Sequence, residues 1–205
     1  MRLTLRTILM SLIALPSLQA AIVYSSIQDI TIPISAGGVY IDFTDPSDAT
    51  AFTSASSEPA NWDLNPILGG AAFGTSDTFE VVTSDGTTNS TLQNLATSVI
   101  VGDGLGEGDS FVTGFSGSSD HMDGTGSGEF VAGMESYIGF RLDDGASGVY
   151  YGWMRVTLRD DGSVGTLHDW AWDTSGAAIQ VGQIPEPSVI LLSAVGTLLL
   201  LRRRR

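Results

Sequence analysis

The sequence predicts an all-β protein: an antiparallel β-sandwich or jelly-roll-like domain, flanked by an N-terminal signal helix and a C-terminal transmembrane helix. Apolar and polar residues alternate over short runs, as they do in half-buried strands. Gly, Asp and Ser, which favour turns, separate these runs. Between the two ends, no window repeats its apolar residues at the 3.6-residue spacing of an amphipathic helix. These three observations favour many short strands in the body of the chain.

The first twenty residues have the organisation of a signal peptide. Arg2 and Arg6 come first, an apolar run over residues 7–15 follows, and Pro16 breaks the helix before Ala20. A basic start, an apolar centre and a small residue at the cut are typical of a secretory signal. We therefore expect export through the Sec machinery, with cleavage after Ala20.

Short strands are predicted along the body of the chain. In the segment 38–43, for example, Val39, Ile41 and Phe43 fall on one face. Residues 45–65 are irregular and contain proline, which cannot donate to a strand ladder, so they are predicted as a long loop. The predicted strands of this part are Ile27–Ile34, Gly38–Phe43, Leu68–Phe73, Phe79–Thr83, Ser98–Val101 and Phe111–Phe115.

The clearest predicted hairpin joins Tyr137–Leu142 to Val149–Leu158 through a turn rich in Asp and Gly. A last strand, Val164–Trp172, follows a second turn at residues 160–163. The two faces of the second hairpin strand carry Met154, Val156 and Leu158 on one side and Trp153, Arg155 and Thr157 on the other. Roughly ten such strands suit a sandwich or jelly roll. A β-helix is the alternative, although no fixed repeat period favours it.

The C-terminal segment combines three features in a fixed order. Pro185, Glu186 and Pro187 come first, and the uncharged residues 189–201 follow. The last four residues are Arg202, Arg203, Arg204 and Arg205. A helix over 189–201 is about 20 Å long, against a hydrocarbon core of about 30 Å, so we expect a short membrane helix. Arginines stay on the cytoplasmic side, which would leave the body outside.

This order resembles the PEP-CTERM sorting signal of proteins exported by Gram-negative-type bacteria. The resemblance implies processing near Pro185-Glu186-Pro187 by exosortase, a membrane transpeptidase, and a role beside exopolysaccharide. An ordinary C-terminal anchor is the alternative. The run Tyr150–Val156 with Gly165–Trp172 also resembles a block found just upstream of such tails, which implies a shared β-domain and no activity.

The composition of the body, residues 21–184, limits its partners. It contains three arginines and 22 acidic residues, which gives a formal charge of −19. Because phosphate backbones need the opposite sign, a nucleic-acid partner is excluded. The chain has no cysteine, which excludes disulfides and thiolate chemistry. The partners that remain possible are cations, membrane lipid around the C-terminal helix and neutral glycans. The length of the body fits one domain.

Acidic loops are the candidate metal sites, and no other cofactor is expected. The candidate calcium ligands are Asp103, Asp109, Asp120 and Asp123. Calcium takes about six to eight oxygen ligands, and glycine lets a backbone curl around the ion. Neither the loop that starts at Asp103 nor the loop that starts at Asp120 has the ligand spacing of an EF-hand. The alternative is that Asp and Gly serve turns and solubility.

Tryptophans are the candidate glycan-binding residues. Trp153, Trp170 and Trp172 could stack on sugar rings. Because Trp170 and Trp172 are two positions apart, they are predicted to share a strand face, with His168 alongside. The alternative is that these side chains pack in the core.

Candidate catalytic residues are few. His168 adjoins Asp169, but neighbouring residues of a strand point to opposite faces, so the two are not expected to pair. No Gly-x-Ser-x-Gly sequence occurs. We therefore expect a non-catalytic envelope or extracellular-matrix protein associated with exopolysaccharide. A secreted polysaccharide-acting hydrolase is the alternative, and two facing carboxylates in a cleft would be its mark.

Overall fold

The computed structural model describes residues 22–43, 50–51, 59–84, 86, 91–106, 109–118, 130–143 and 148–185. Within these ranges the chain is all-β and its strands pair antiparallel, which confirms the predicted class. The strands are β1 (Ile22–Tyr24), β2 (Ile30–Ile32), β3 (Val39–Tyr40), β4 (Thr50–Ala51), β5 (Leu64–Ile67), β6 (Ala72–Thr75), β7 (Phe79–Thr83), β8 (Ile100–Val101), β9 (Ser110–Thr113), β10 (Ser116–Ser118), β11 (Glu135–Asp143), β12 (Val149–Thr157), β13 (Gly165–Asp173) and β14 (Ile179–Gln180).

Both predicted terminal helices lie outside the described residues. Among the residues that are described, no helix is long and apolar enough to cross a membrane.

Seven strands form the main sheet. Their order is β1-β13-β12-β11-β7-β9, and β2 also pairs with β13. The predicted hairpin is present as β11 and β12, which pair without interruption from Glu135↔Thr157 to Asp143↔Val149. β1 pairs with one end of β13 and β2 with the other, so the loop between β1 and β2 passes the middle of β13.

Apolar side chains cover both faces of the main sheet. One face, which we call the inner face, packs against residues of β3, β5 and β6 through a core that includes Met154 and Trp170. The other, the outer face, packs against β8 and β14 through a smaller core around Trp153 and Ala171. The predicted division of β12 into a Met154 face and a Trp153 face is therefore confirmed. Sheets packed on a shared core give the sandwich-like architecture.

Four aromatic rings fill the centre of the inner core. The ring centroid of Phe43 lies 4.8 Å from that of Phe79, 5.1 Å from that of Phe140 and 4.8 Å from that of Trp170. Nε1 of Trp170 also donates to the carbonyl of Phe43 at 3.3 Å. Each such ring pair adds about 0.5–1.5 kcal/mol beyond area burial. The cluster therefore fastens the segment after β3 to the main sheet.

The predicted strand over residues 68–73 is confirmed only at its end, where Ala72 and Phe73 begin β6. A 3₁₀ turn, Leu68–Gly70, separates β5 from β6. Its three residues have φ values of 53°, 74° and 99°, a left-handed conformation that strands do not adopt. The carbonyl of Gly69 accepts the Arg159 N–H at 2.9 Å, so the turn docks on the connection after β12.

The predicted long loop over residues 45–65 contains strand residues. β4 pairs with β3, and Leu64 and Asn65 begin β5, which pairs with β6. Residues 44–49 and 52–58 lie outside the described part of the chain. Both pairings join segments close to each other in the chain, but proline within the segment favoured a loop, because proline cannot donate to a strand ladder.

Candidate functional site

The structure buries the three candidate sugar-stacking tryptophans. The exposed fractions of Trp153, Trp170 and Trp172 are 2%, 0% and 8%. Trp170 and Trp172 belong to the inner core, whereas Trp153 belongs to the outer core. None of these three indole rings is left open for a sugar ring, so their predicted stacking role is corrected to core packing.

A β-bulge in β13 changes which residues share a face. Arg155 of β12 lies opposite Asp169, but the next residue, Val156, lies opposite Leu167, so His168 is the extra residue. A bulge of this kind lets two consecutive residues project to one side. The prediction that His168 lies alongside Trp170 is therefore wrong, because His168 and Asp169 both bond to outer-face side chains of β12.

His168 is the centre of a hydrogen-bonded chain of three side chains. Its Nε2 lies 2.8 Å from Oγ1 of Thr157, and its Nδ1 lies 2.7 Å from Oδ1 of Asp29. Thr157 is the last residue of β12, and Asp29 immediately precedes β2. The bulge on β13 and the loop between β1 and β2 thus bring together a hydroxyl, an imidazole and a carboxylate.

The backbone of the loop between β1 and β2 holds this arrangement in place. The amides of Gln28 and Asp29 both donate to the carbonyl of His168, at 2.7 and 3.2 Å. Ser25 closes the loop from the other side, because its N–H donates to the Trp170 carbonyl at 3.0 Å. Asp29 has a φ of 48°, a conformation that aspartate tolerates better than most residues.

An ion-pair network lies beside the chain on the outer face. Arg155 donates through Nε and Nη2 to both oxygens of Asp169, at 2.9 and 2.8 Å, and through Nη1 to Glu135 at 2.9 Å. Tyr24 donates its hydroxyl to Asp169 at 2.7 Å. The pKa of Arg155 is raised, chiefly by the hydrogen bond to Asp169. Burial, together with the bond to Asp169, raises the pKa of Tyr24 to about 12.

The two partners of Arg155 differ in exposure. The side chain of Asp169 is 4% exposed and that of Glu135 is 52% exposed. A buried carboxylate needs a charged or hydrogen-bonding partner, and the forked pair with Arg155 plus the Tyr24 hydroxyl supplies three donors. Because Asp169 makes these contacts, it holds the network together and does not pair with His168.

The candidate calcium ligands fall in two groups. Asp103 accepts the hydroxyl of Tyr151, and the N–H of Asp109 donates to the carbonyl of Gly106 at 3.1 Å. Burial raises the pKa of Asp109. Asp120 and Asp123 lie outside the described residues. Within the part of the chain that the structure describes, no three His or acidic side chains are grouped closely enough to hold a metal ion.

The described chain runs into the first residue of the predicted sorting motif. Nε1 of Trp153 donates to the carbonyl of Gln183 at 3.0 Å, and Pro185, two residues later, is exposed. The other predicted sorting and orientation residues, Glu186, Pro187, Arg202, Arg203, Arg204 and Arg205, lie outside the described residues. The bond from Trp153 therefore holds Gln183 at the outer face.

Sequence reasoning missed Thr157 and Asp29 as partners of His168. Asp29 and His168 are 139 positions apart, and no local pattern links them. The alternation of β12 did place Thr157 on the same face as Arg155. To predict that His168 contacts both residues, one would need to know the position of the bulge, which depends on strand pairing.

Comparison of the chain with protein-family models, with curated protein sequences and with solved structures gives no match in any of the three.

Proposed function

We propose that this chain is an exported envelope or extracellular-matrix protein, sorted through a PEP-CTERM signal and associated with exopolysaccharide without catalysing its turnover. The proposal includes a signal helix over residues 1–20, a C-terminal membrane helix, exosortase as the processing partner and a jelly-roll-like form of the sandwich. The order of Pro185-Glu186-Pro187, apolar run and arginines carries the proposal.

The exposure of Pro185 supports this function. The bond from Trp153 holds Gln183 on the outer face, and Pro185 follows exposed to solvent. A processing enzyme needs an accessible segment next to its target bond, and exposed Pro185 lies at the start of the motif. The formal charge of −19 on the body suits a neutral glycan better than an acidic one.

Intact-mass analysis of the full-length protein tests the proposal. We expect the protein from a host with active exosortase to begin at Ala21 and to lack the apolar run and the arginines. In a host without the enzyme, the C-terminus is expected to remain. Replacing Glu186 with glutamine should block processing but leave membrane insertion intact, whereas Glu135→Gln, a change at an exposed glutamate of the body, should alter neither.

The decisive contrary result is a dominant species that still ends at Arg205 while exosortase processes other substrates in the same cells. In that case the segment is a plain membrane anchor.

A secreted hydrolase is the second candidate function, and one observation favours it. The chain from Thr157 through His168 to Asp29 has the order of groups that activates a hydroxyl nucleophile.

A further inference from the structure

Three outer-face side chains are connected in the order hydroxyl, imidazole, carboxylate. Thr157 Oγ1 lies 2.8 Å from Nε2 of His168, and Nδ1 of His168 lies 2.7 Å from Oδ1 of Asp29. We propose that His168, oriented by Asp29, activates Thr157 as a nucleophile and that the protein hydrolyses neutral acyl esters. The inference deepens the second candidate function and gives it a reaction and a substrate class.

The hydrogen-bond partners determine which nitrogen of the neutral imidazole carries the proton. An ionised carboxylate only accepts hydrogen bonds, so Nδ1 of His168 must donate to Asp29. The lone pair of Nε2 then faces Thr157 and accepts its hydroxyl proton. This is the tautomer that a general base acting on Thr157 requires, and Asp29 is the positioning residue that fixes it.

The fold holds the base rigidly from several directions. The bulge turns His168 out of the inner core, and two consecutive amides of the loop before β2 donate to its carbonyl. Asp29 itself adopts a left-handed backbone conformation with a φ of 48°.

The chain of groups is open to a substrate. The side chain of His168 is 20% exposed and that of Asp29 is 60% exposed, and Thr157 is half-buried. An ester can therefore approach the hydroxyl from solvent without a change in the fold. A site exposed at the end of β12 makes few contacts with the rest of a substrate, so small esters should react as well as large ones.

The charges around the hydroxyl select the substrate. Glu135 is the cross-strand partner of Thr157, and Asp29 lies at the far end of the relay. Arg155 is the cation on the same face of β12, and it is already paired with Glu135 and Asp169. The surroundings therefore carry excess negative charge, which repels anionic esters and tolerates neutral ones.

The proposed step balances without a cofactor. Oγ1 of Thr157 attacks the carbonyl carbon of the ester, and its proton moves to Nε2 of His168. The bond from the carbonyl carbon to the alcohol oxygen then breaks, and the alcohol leaves with that proton. Water, deprotonated by His168, attacks the resulting Thr157 ester, which releases the carboxylic acid and restores the hydroxyl.

Hydrolysis of p-nitrophenyl acetate by the full-length protein in detergent tests the proposal. Thr157→Val keeps the shape of the side chain but removes the hydroxyl, and we expect its rate to fall by at least about a hundredfold. Thr157→Ser should retain activity. Thr166→Val is the matched control, since Thr166 is the cross-strand partner of Thr157 on β13 and lies outside the relay. It should match the wild type.

Two further readouts separate a catalytic role from a structural one. A fluorophosphonate probe should label the wild type on Thr157, as located by peptide mass analysis, and should not label Thr157→Val. Asp29→Asn should lower kcat by at least about tenfold and leave KM unchanged, because Asp29 acts only through His168. The negatively charged p-nitrophenyl hemisuccinate should react more slowly than the acetate.

Several results would overturn the proposal. They are equal rates for the wild type and a folded Thr157→Val, labelling at another residue, or a wild-type rate no higher than that of buffer. Circular dichroism melting of each variant shows whether it is folded. The sorting proposal is tested separately by intact mass, so either proposal can fail alone.

Discussion

Two buried carboxylates of this protein differ in the hydrogen-bond donors that they receive. Asp169 is buried but receives three donors from Arg155 and Tyr24. Asp63 is 7% exposed, and its carboxylate accepts a hydrogen bond from the N–H of Phe43 at 2.8 Å. Burial raises the pKa of Asp63 to about 6, the Phe43 bond opposes this rise, and the nearby charge of Asp42 adds to it. Folding thus shifts the ionisation of Asp63 to a higher pH.

The first prediction is that Asp63→Asn stabilises the protein at neutral pH. The pKa of Asp63 is about 6 in the fold against 3.8 unfolded, so its contribution is most favourable below pH 3.8 and is lost between pH 3.8 and 6. Asparagine keeps an oxygen for the Phe43 N–H and has no charge to bury. Above pH 6 the variant should gain about 2–3 kcal/mol in free energy of unfolding.

Urea unfolding at pH 4 and pH 7.5 measures this difference. The gain should be small at pH 4, and the exposed change Asp160→Asn should give no gain at either pH. A gain of equal size at both values would show that Asp63 does not titrate as described.

At the scale of elements, the main sheet depends on close approach between strands. Gly152 lies in the middle of β12, where the ring of Phe140 covers it from β11. Gly139 of β11 is covered in the same way on the outer face, because a Cβ there would lie 2.8 Å from the Leu95 side chain and 2.9 Å from the Val82 side chain. Glycine in these strands leaves room for the aromatic cluster on one face and for the covering segment on the other.

The second prediction is that Gly152→Ala destabilises the fold. The added methyl would meet the ring of Phe140 and would lie 2.7 Å from the carbonyl oxygen of Ala171, and the backbone of β13 cannot move without breaking the sheet. Overpacking of this kind costs about 1–3 kcal/mol. The control is Gly104→Ala, because nothing lies within 4 Å of a Cβ at Gly104.

Thermal unfolding of both variants provides the measurement. The control should melt at or slightly above the wild-type temperature. A Gly152→Ala protein that melts with the control would mean that Phe140 has room to move aside.

The sequence predicted the parts of the sheet that depend on local pattern. The hairpin of β11 and β12 and the two faces of β12 followed from alternation and from the turn residues between the strands. The bulge at His168 could not be predicted, because it depends on pairing of β13 with β12 on one side and with β1 and β2 on the other. The same one-residue shift explains why His168 was placed on the wrong face and why Thr157 and Asp29 were not recognised as its partners.

At the scale of the whole molecule, charge is the dominant feature. The body carries 22 acidic residues against three arginines. Arg141 pairs with Glu80, Arg155 with Asp169 and Glu135, and Arg159 with Asp161, so each cation has an acidic partner. The remaining acids repel one another across a small domain, and this repulsion opposes folding.

The last prediction is that salt stabilises the protein by screening. At an ionic strength of about 0.15 M the Debye length is about 8 Å, shorter than the domain, so the self-repulsion should fall and the Tm should rise. For a chain of this size, each 1 kcal/mol gained raises the Tm by about 2–4 °C. Because screening depends on ionic strength, calcium, magnesium and sodium chlorides should give equal shifts when matched in ionic strength.

A calcium-specific shift would contradict a purely screening effect and would indicate a bound ion. The candidate ligands then separate by mutation. Loss of that shift in Asp120→Asn and Asp123→Asn, but not in Asp103→Asn, would locate the site in the acidic loop outside the described residues. This outcome fits the geometry, since Asp103 already accepts the Tyr151 hydroxyl on the outer face.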